Sequence, residues 1–323
     1  MNETTRWLLD SPEPWTRYRA LVDLLGRLET DPEAASARRD MVSSPQVRAL
    51  IGLASTWGER PLKRHNDAAH PLYALSTLAD FGLRADDPGM DAVIQAVLAH
   101  QSPEGAFQTV INIPVAFGGD GQDHWTWIAC DAPTLLYALL SFGLGDDPRV
   151  QRAGQHLANL AQENGYRCAA APELGKFKGP GRRDDPCPVA NVYALKALSL
   201  LPGQREGEAA RRAAAMLLDN WEHRRERKHF LFGMGTDFKK LKYPFVYFDI
   251  LHALEALGRF PFVHADPRFR EMLSAVTAQA DADGRYTAGS MYQAWKGWSF
   301  ADKKNPSPWL TMVVMRMQMR IGM

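Results

Sequence analysis

Tyr73-Ala74-Leu75 returns as Tyr137-Ala138-Leu139 and as Tyr193-Ala194-Leu195, and a fourth copy reads His252-Ala253-Leu254. The copies lie 64, 56 and 59 residues apart, and each belongs to an apolar stretch with helical spacing. Most are followed by an Asp-Pro pair, by a second, amphipathic stretch and by a turn that combines glycine with an aromatic residue. A repeat of this length predicts a series of helical hairpins.

The two helices of each predicted hairpin differ in polarity. Residues 135–140 contain no charged side chain, whereas residues 149–156 have a polar and an apolar face. Because a helix that is apolar all round is buried and an amphipathic helix faces water, the first helices should form an inner layer and the second helices an outer layer. We therefore predict an all-α fold, a closed α6–α6 toroid of about six helical hairpins in a single domain over residues 1–323, with an open solenoid as the alternative.

The bulk composition narrows the function classes. The 323 residues include 38 basic and 37 acidic ones, and a net charge of +1 gives no basic excess for binding nucleic acid. The first residues lack a signal-peptide pattern, and no apolar run is long enough to span a membrane. We therefore expect a cytoplasmic protein without a membrane span; the sequence identifies no protein partner.

The turns that close the hairpins carry a resemblance to a known superfamily. They read Gln101-x-x-x-Gly105-x-Phe107, Gln162-x-x-Gly165-Tyr166 and Asp283-Gly284-x-Tyr286. They resemble the Gln/Gly/aromatic repeats of squalene cyclases and of prenyltransferase β-subunits, over nearly the whole chain. The resemblance to this terpenoid cyclase and protein prenyltransferase superfamily implies an α6–α6 toroid whose substrate enters from the end where the inner helices begin. It also implies a small hydrophobic or isoprenoid-type substrate, with or without a diphosphate group.

Alignment of the units on the tripeptide gathers polar residues at the start of the inner helices. Six residues before it lie Asp67, Asp131 and Cys187, and three before it lie His70 and Asp249. We expect His70 and Asp249 about one turn inside apolar helices, where an unpaired charge would be costly. The candidate catalytic residues are Asp249, Asp131, His70 and Tyr247. Helix capping is the simpler role for Asp131, and a satisfied polar pair is the simpler role for His70 and Asp249.

The segment before the third inner helix resembles the zinc-binding stretch of protein prenyltransferases. Asp185-Pro186-Cys187 resembles the family's Asp-x-Cys pair, which implies a Zn²⁺ site. Lys178, Arg182 and Arg183 precede this pair and would contact the diphosphate. The family's third ligand is a histidine, and Asp249 occupies its place here. A carboxylate can also bind zinc, so the resemblance implies an altered site.

The three cysteines allow a second zinc hypothesis. Cys130 starts one inner helix, Cys187 starts the next, and Cys168 follows the turn between them. Adjacent repeats could therefore bring all three thiols together. The alternative is that they are buried as small apolar side chains, as free cysteines usually are.

Aromatic side chains complete the predicted site. Trp125, Trp127 and Tyr243 precede inner helices and are predicted to contact an apolar substrate, or else to fill the mouth of the barrel. The acid motif Asp-x-Asp-Asp of proton-initiated cyclases is absent, and Asp120-Gly-Gln-Asp123 is not a helical magnesium motif. Two other functions therefore stay open. One is a carbohydrate lyase or hydrolase that uses paired carboxylates, and the other is a non-catalytic module that binds a hydrophobic ligand or a partner.

Overall fold

The computed structural model describes residues 2–64, 66–174, 184–226 and 234–322, and over these the chain is mainly helical. The α-helices of this part are α1 Glu3–Leu9, α2 Pro14–Arg19, α3 Pro32–Ser43, α4 Pro45–Ser55, α5 Pro71–Phe81, α6 Met90–Leu98, α7 Ala132–Ser141, α8 Pro148–Asn159, α9 Pro188–Leu198, α10 Glu208–Glu222, α11 Ile250–Leu257, α12 Pro267–Thr277 and α13 Pro308–Arg320. A π-helix, Ala20–Leu24, continues α2. Within the described residues, no helix is long and apolar enough to cross a membrane.

The structure adds a small sheet to the predicted helices. Strands β1 Thr109–Asn112 and β2 Asp123–Thr126 pair antiparallel, with Thr109 opposite Thr126. They lie in the connection that leads from α6 to α7. The mainly helical character of the prediction is therefore confirmed, and the sheet is a local addition to it.

Two Asp-Pro pairs begin outer helices, as the sequence predicts, whereas α6 begins only at Met90, after the pair Asp87-Pro88. Asp147 accepts a hydrogen bond from Arg149 N at the start of α8, and Asp266 accepts one from Arg268 N at the start of α12, each at 2.8 Å. In both helices proline takes the first position, where its missing N–H has no intrahelical partner to lose. Capping and proline together fix where these helices start.

The Gly-aromatic turns are tight and need their glycines. Gly105, Gly165 and Gly284 have φ values of +112°, +92° and +74°. At Gly165 an added Cβ would lie 2.6 Å from the side-chain oxygen of Asn191, which accepts a hydrogen bond from Tyr166 N. The turn is thereby fastened to α9, and the tyrosine side chain enters the core.

The helices divide into two sets by their contacts. Helix α5 contacts α7, α7 contacts α9, α9 contacts α11, α11 contacts α13, α13 contacts α2, and α2 contacts α5. Every residue of α5 and of α9 is buried, whereas α8 buries one face only. Most buried apolar residues, from Leu8 to Met317, belong to one continuous cluster, and Ala106, Trp127 and Ala171 form a second, small one. The predicted difference between inner and outer helices is thus seen in the burial of these helices.

The segment that precedes α11 runs through the interior between the inner helices. Tyr243, Phe245 and Val246 are fully buried in it. The hydroxyl of Tyr193 on α9 donates a hydrogen bond to Val246 O at 2.6 Å, and the ring of Phe245 stacks on His252 of α11. This packing fixes the start of α11 and therefore the position of Asp249.

Candidate functional site

The predicted polar residues stand at the starts of four inner helices. His70, Asp131, Cys187 and Asp249 are the N-cap residues of α5, α7, α9 and α11. The expectation that His70 and Asp249 lie one turn inside their helices was wrong. Relative to the tripeptide, α5 and α11 begin three residues later than α7 and α9. At α5 the cause is Pro71, which suits the first helical position and disfavours helical geometry in the residue before it.

Asp249 is a buried carboxyl with one oxygen in use. Its Oδ1 accepts a hydrogen bond from His252 N at 2.9 Å, which caps α11. Its Oδ2 has no hydrogen-bond partner among the described residues, and the residue is 1% exposed. Burial raises the pKa of Asp249 to about 7, although the His252 N–H and Lys242 act in the opposite direction. Near neutral pH this carboxyl can therefore carry a proton and give it up.

Two partly buried tyrosines belong to the same region as Asp249. Burial raises the pKa of Tyr292, and the negative charges of Asp249 and Asp237 raise it further. Burial raises the pKa of Tyr247 to about 12, with smaller contributions from Cys187 and Cys130. The carboxyl and the thiols are thus close enough to the two phenols to affect their pKa values, and together these groups form one site at the start of the inner helices.

His70 and Asp131 form the neighbouring part of this site. Leu72 N donates to His70 Nδ1 at 3.2 Å, so it is Nε2 that carries the proton and donates to Arg60 O at 2.9 Å. Burial lowers the pKa of His70, which is consistent with a neutral ring. Asp131 is buried and raises the pKa of Tyr73. Both nitrogens of His70 are thus engaged in holding the start of α5.

The three cysteines meet at the starts of α7 and α9. Cys130 Sγ and Cys187 Sγ are 3.7 Å apart, and both residues are buried. Hydrogen bonding to Cys168 and Cys187, followed by burial, raises the pKa of Cys130 well above its usual value. The structure therefore places Cys130 beside both other thiols, and the raised pKa keeps Cys130 itself protonated.

The thiols match the geometry of a zinc site only in part. A tetrahedral site with Zn–S bonds of about 2.3 Å separates two sulfurs by about 3.8 Å, close to what Cys130 and Cys187 show. Where the chain is described, the one group of three donors within 4.8 Å of one another consists of Asp219 and Glu222 on α10 and His223 directly after it, and it includes no thiol. Asp185 lines a surface cavity of about 370 Å³ beside α10, whereas Cys187 is buried next to Cys130. At the predicted site, therefore, two thiols rather than three ligands stand at the spacing of a zinc site.

The other predicted substrate-binding residues lie elsewhere. Trp125 stacks on His100 with ring centroids 3.4 Å apart, and Trp127 packs edge-on against His156 of the outer helix α8. The hydroxyl of Tyr243 donates to Asp80 Oδ2 at 3.1 Å, near the C-terminal end of α5. The structure therefore brings none of these three rings to Asp249. Lys178, Arg182 and Arg183 lie outside the described residues.

Sequence reasoning missed a second polar cluster, at the C-terminal ends of the inner helices. Asp80 of α5 accepts a hydrogen bond from the hydroxyl of Tyr137 of α7 at 2.6 Å and pairs with Lys196 of α9 at 3.4 Å. A second carboxylate of the cluster, Glu255, forms ion pairs with Arg259, Arg316 and Arg320. Asp23, from the π-helix, also pairs with Arg316. A signal was present in the sequence, because Lys196 and Glu255 directly follow the tripeptide inside otherwise apolar helices.

No protein-family model and no curated protein sequence matches the chain. Among solved structures, a protein from Actinoplanes is 12% identical with a TM-score of 0.33, covering 86% of this chain and 100% of that chain. A type II terpene cyclase from Scytonema, in complex with merosterolic acid A as its product, is 12% identical with a TM-score of 0.32, covering 85% of this chain and 96% of that chain. Neither similarity is high enough to carry an argument about the family or the reaction.

Proposed function

We propose that this protein is an enzyme that protonates an isoprenoid-type substrate, with Asp249 as the proton donor. The observation that carries the proposal is the state of Asp249, a buried carboxyl with a pKa of about 7 and an Oδ2 that has no hydrogen-bond partner among the described residues. A general acid works best when its pKa lies near the working pH. The resemblance of the turns to those of squalene cyclases indicates the class of substrate.

We also propose that the inner helices close into an α6–α6 toroid. The chain of contacts from α5 through α7, α9, α11 and α13 to α2, which itself contacts α5, supports closure rather than an open solenoid. The charged cluster supports it independently, because Asp80, Glu255 and Asp23 draw partners from all six inner helices or their continuations into one buried network. An open array would not bring its first and last repeats together.

In the proposed reaction the proton moves from Asp249 Oδ2 to one carbon of a substrate double bond, and the other carbon becomes cationic. Oδ1 stays bound to His252 N, which holds the carboxyl in place during the transfer. The rings of Tyr247 and Tyr292 would stabilise the cation through their π faces. The cation then loses a proton or takes up water, and solvent reprotonates the carboxylate. The substrate is thereby isomerised or hydrated, and no oxidant or reductant is needed.

Deuterium incorporation tests this step directly. Squalene, farnesol and geranylgeranyl diphosphate are incubated with the protein in deuterium oxide, and the products are analysed by mass spectrometry. Proton-initiated chemistry leaves one deuterium on a carbon of the product. Asp249→Asn, which keeps the capping oxygen but cannot donate the proton, should lower the rate about 10²- to 10⁴-fold. Binding of these probes without conversion would instead support the non-catalytic alternative, and binding of oligosaccharides alone would support the carbohydrate enzyme.

We propose a second function at the N-terminal ends of the inner helices: Cys130 and Cys187 bind zinc, with Cys168 as the third ligand. The specific observation in its favour is the distance of 3.7 Å between the two buried sulfurs. Cys168 would have to turn toward the pair for the site to form, and binding would release the thiol protons. Metal content of the purified protein tests this: we expect one zinc per chain, lost in Cys187→Ser. Absence of zinc after incubation with it, together with full reactivity of the thiols, would rule the site out.

A further inference from the structure

A cavity of about 210 Å³ opens among the charged residues at the C-terminal ends of the inner helices. This volume is many times the about 10–15 Å³ that one water molecule needs. Its lining includes five arginines: Arg19, Arg84, Arg259, Arg316 and Arg320. Two carboxylates, Glu29 and Asp80, line it as well. The cavity wall thus carries more cations than anions.

The most deeply buried of these arginines is incompletely bonded. Arg316 is 5% exposed, and its Nη1 donates to Asp23 Oδ2 at 3.4 Å. Its Nη2 lies 3.6 Å from a carboxylate oxygen of Glu255, which is an ion pair beyond hydrogen-bond distance. Within the described parts of the chain, Nε and Nη2 of Arg316 and Nε of Arg19 donate no hydrogen bond. Buried donors without acceptors are costly, so an acceptor that reached these guanidinium groups would be bound favourably.

The arginines also repel one another. Burial, and then the nearby charges of Arg259 and Arg316, lower the pKa of Arg320 to about 10, against the opposing pull of Glu255. A guanidinium whose charge is disfavoured in the folded protein is stabilised by any anion that enters the space between the cations.

The simpler explanation for arginines here is the helix dipole. The C-terminal ends of helices carry partial negative charge and favour cations, which accounts for the presence of arginines at this end. It does not account for a polar cavity of this size, nor for buried N–H groups without acceptors on two of the arginines that line it. Both observations are those expected of a site that receives an acceptor-rich ligand.

We infer that this cavity is a binding site for a phosphate-type oxyanion. Guanidinium groups match the geometry of phosphate oxygens in pairs, and a phosphate offers enough acceptors for several arginines at once. The ion pair between Glu29 and Arg84 stands at the more exposed side of the cavity, where a ligand would enter. Asp249 and Arg259 flank opposite ends of α11, whose eight residues span about 12 Å, so the site is separate from the proposed proton donor.

Calorimetric titration tests the inference with inorganic phosphate, diphosphate and glycerol 3-phosphate, at an ionic strength held constant with sodium chloride. The test variant is Arg320→Gln, because Glu255 keeps Arg259 as a partner when Arg320 is lost. The matched control is Arg149→Gln, an arginine on the outer helix α8 that pairs with Asp147 at 2.7 Å and does not line the cavity. Wild type and Arg149→Gln should bind alike, and Arg320→Gln should bind at least about tenfold more weakly.

Arg84→Gln, at the exposed side, provides a second variant if Arg320→Gln does not fold. Tighter binding of glycerol 3-phosphate than of the inorganic ions would identify a phosphate ester as the ligand; the reverse order would identify a free ion. The inference is overturned if none of the three probes binds wild type more tightly than chloride does. It is equally overturned if Arg149→Gln weakens binding as much as Arg320→Gln or Arg84→Gln. Since Asp249→Asn should leave this binding unchanged, failure here and failure of the proposed catalysis are distinguishable.

Discussion

At the N-terminal ends of the inner helices His70 and Asp249 are buried with few partners, whereas at the C-terminal ends Asp80 and Glu255 are buried among several donors and cations. His70 and Asp249 each cap one helix with a single hydrogen bond. Asp80 and Glu255, at the other end, each contact several donors or cations. Burial removes solvation from both Asp249 and Glu255; at Asp249 it favours the protonated form, whereas at Glu255 it is offset by ion pairs.

The helix dipole alone does not explain the difference between the two ends. The positive N-terminal end of α11 should lower the pKa of a capping carboxyl, yet burial outweighs it and raises the pKa of Asp249 to about 7. At the other end Glu255 is as deeply buried, but Arg259 and its neighbours lower its pKa well below the usual range. A carboxyl is therefore poised for proton transfer where burial outweighs its few favourable contacts, and it is a structural anion where several cations surround it.

The largest expected effect comes from removing the central anion of the charged network. Glu255→Gln leaves Arg259, Arg316 and Arg320 without their shared partner, and we expect it to lower the free energy of unfolding by about 3–5 kcal/mol. The matched control is Glu271→Gln, which removes an exposed partner of Arg224 and should cost less than about 1 kcal/mol. Urea denaturation of the two variants measures the difference. Equal, small losses would show that the network contributes no more than a surface ion pair.

A smaller effect, with a characteristic pH dependence, is expected at Asp249. Its pKa rises from 3.8 to about 7 on folding, so the folded state holds the proton while the unfolded state loses it. Stability is therefore lost as pH rises from about 4 to about 7, by up to about 4 kcal/mol, and is constant above that range. Asp249→Asn cannot ionise and should escape this loss. A stability difference between wild type and Asp249→Asn that does not change across this pH range would contradict the raised pKa.

The same two ends show how far the sequence could predict the site. The repeat, the outer-helix caps and the gathering of polar residues at the inner-helix starts depend on local patterns, and the tripeptide Tyr73-Ala74-Leu75 and its copies reveal them. The exact start of each helix depends on one residue, such as Pro71, so His70 and Asp249 were placed one turn too deep. Tripeptide alignment alone could not detect this shift of three residues.

The charged network could not be assigned from periodicity. Its partners are far apart in sequence, as Lys196 and Asp80 at 116 residues and Tyr243 and Asp80 at 163 residues show. Which charge meets which depends on how the repeats close on one another, and that is a property of the whole fold. Tyr243 was predicted at the substrate end for the same reason: its position before α11 does not reveal that its hydroxyl reaches Asp80.

The smallest expected effect separates the two possible roles of His70. If His70 only caps α5, His70→Ala should lower the free energy of unfolding by about 1 kcal/mol, while His70→Asn should restore most of it, because asparagine is among the best capping residues. Urea denaturation measures the stability of both variants, and deuterium incorporation measures their activity. A capping role requires His70→Asn to keep both. Wild-type stability with a loss of activity in His70→Asn would instead make His70 a partner of Asp131 in proton transfer, since the charge of Asp131 acts against burial to raise the pKa of His70.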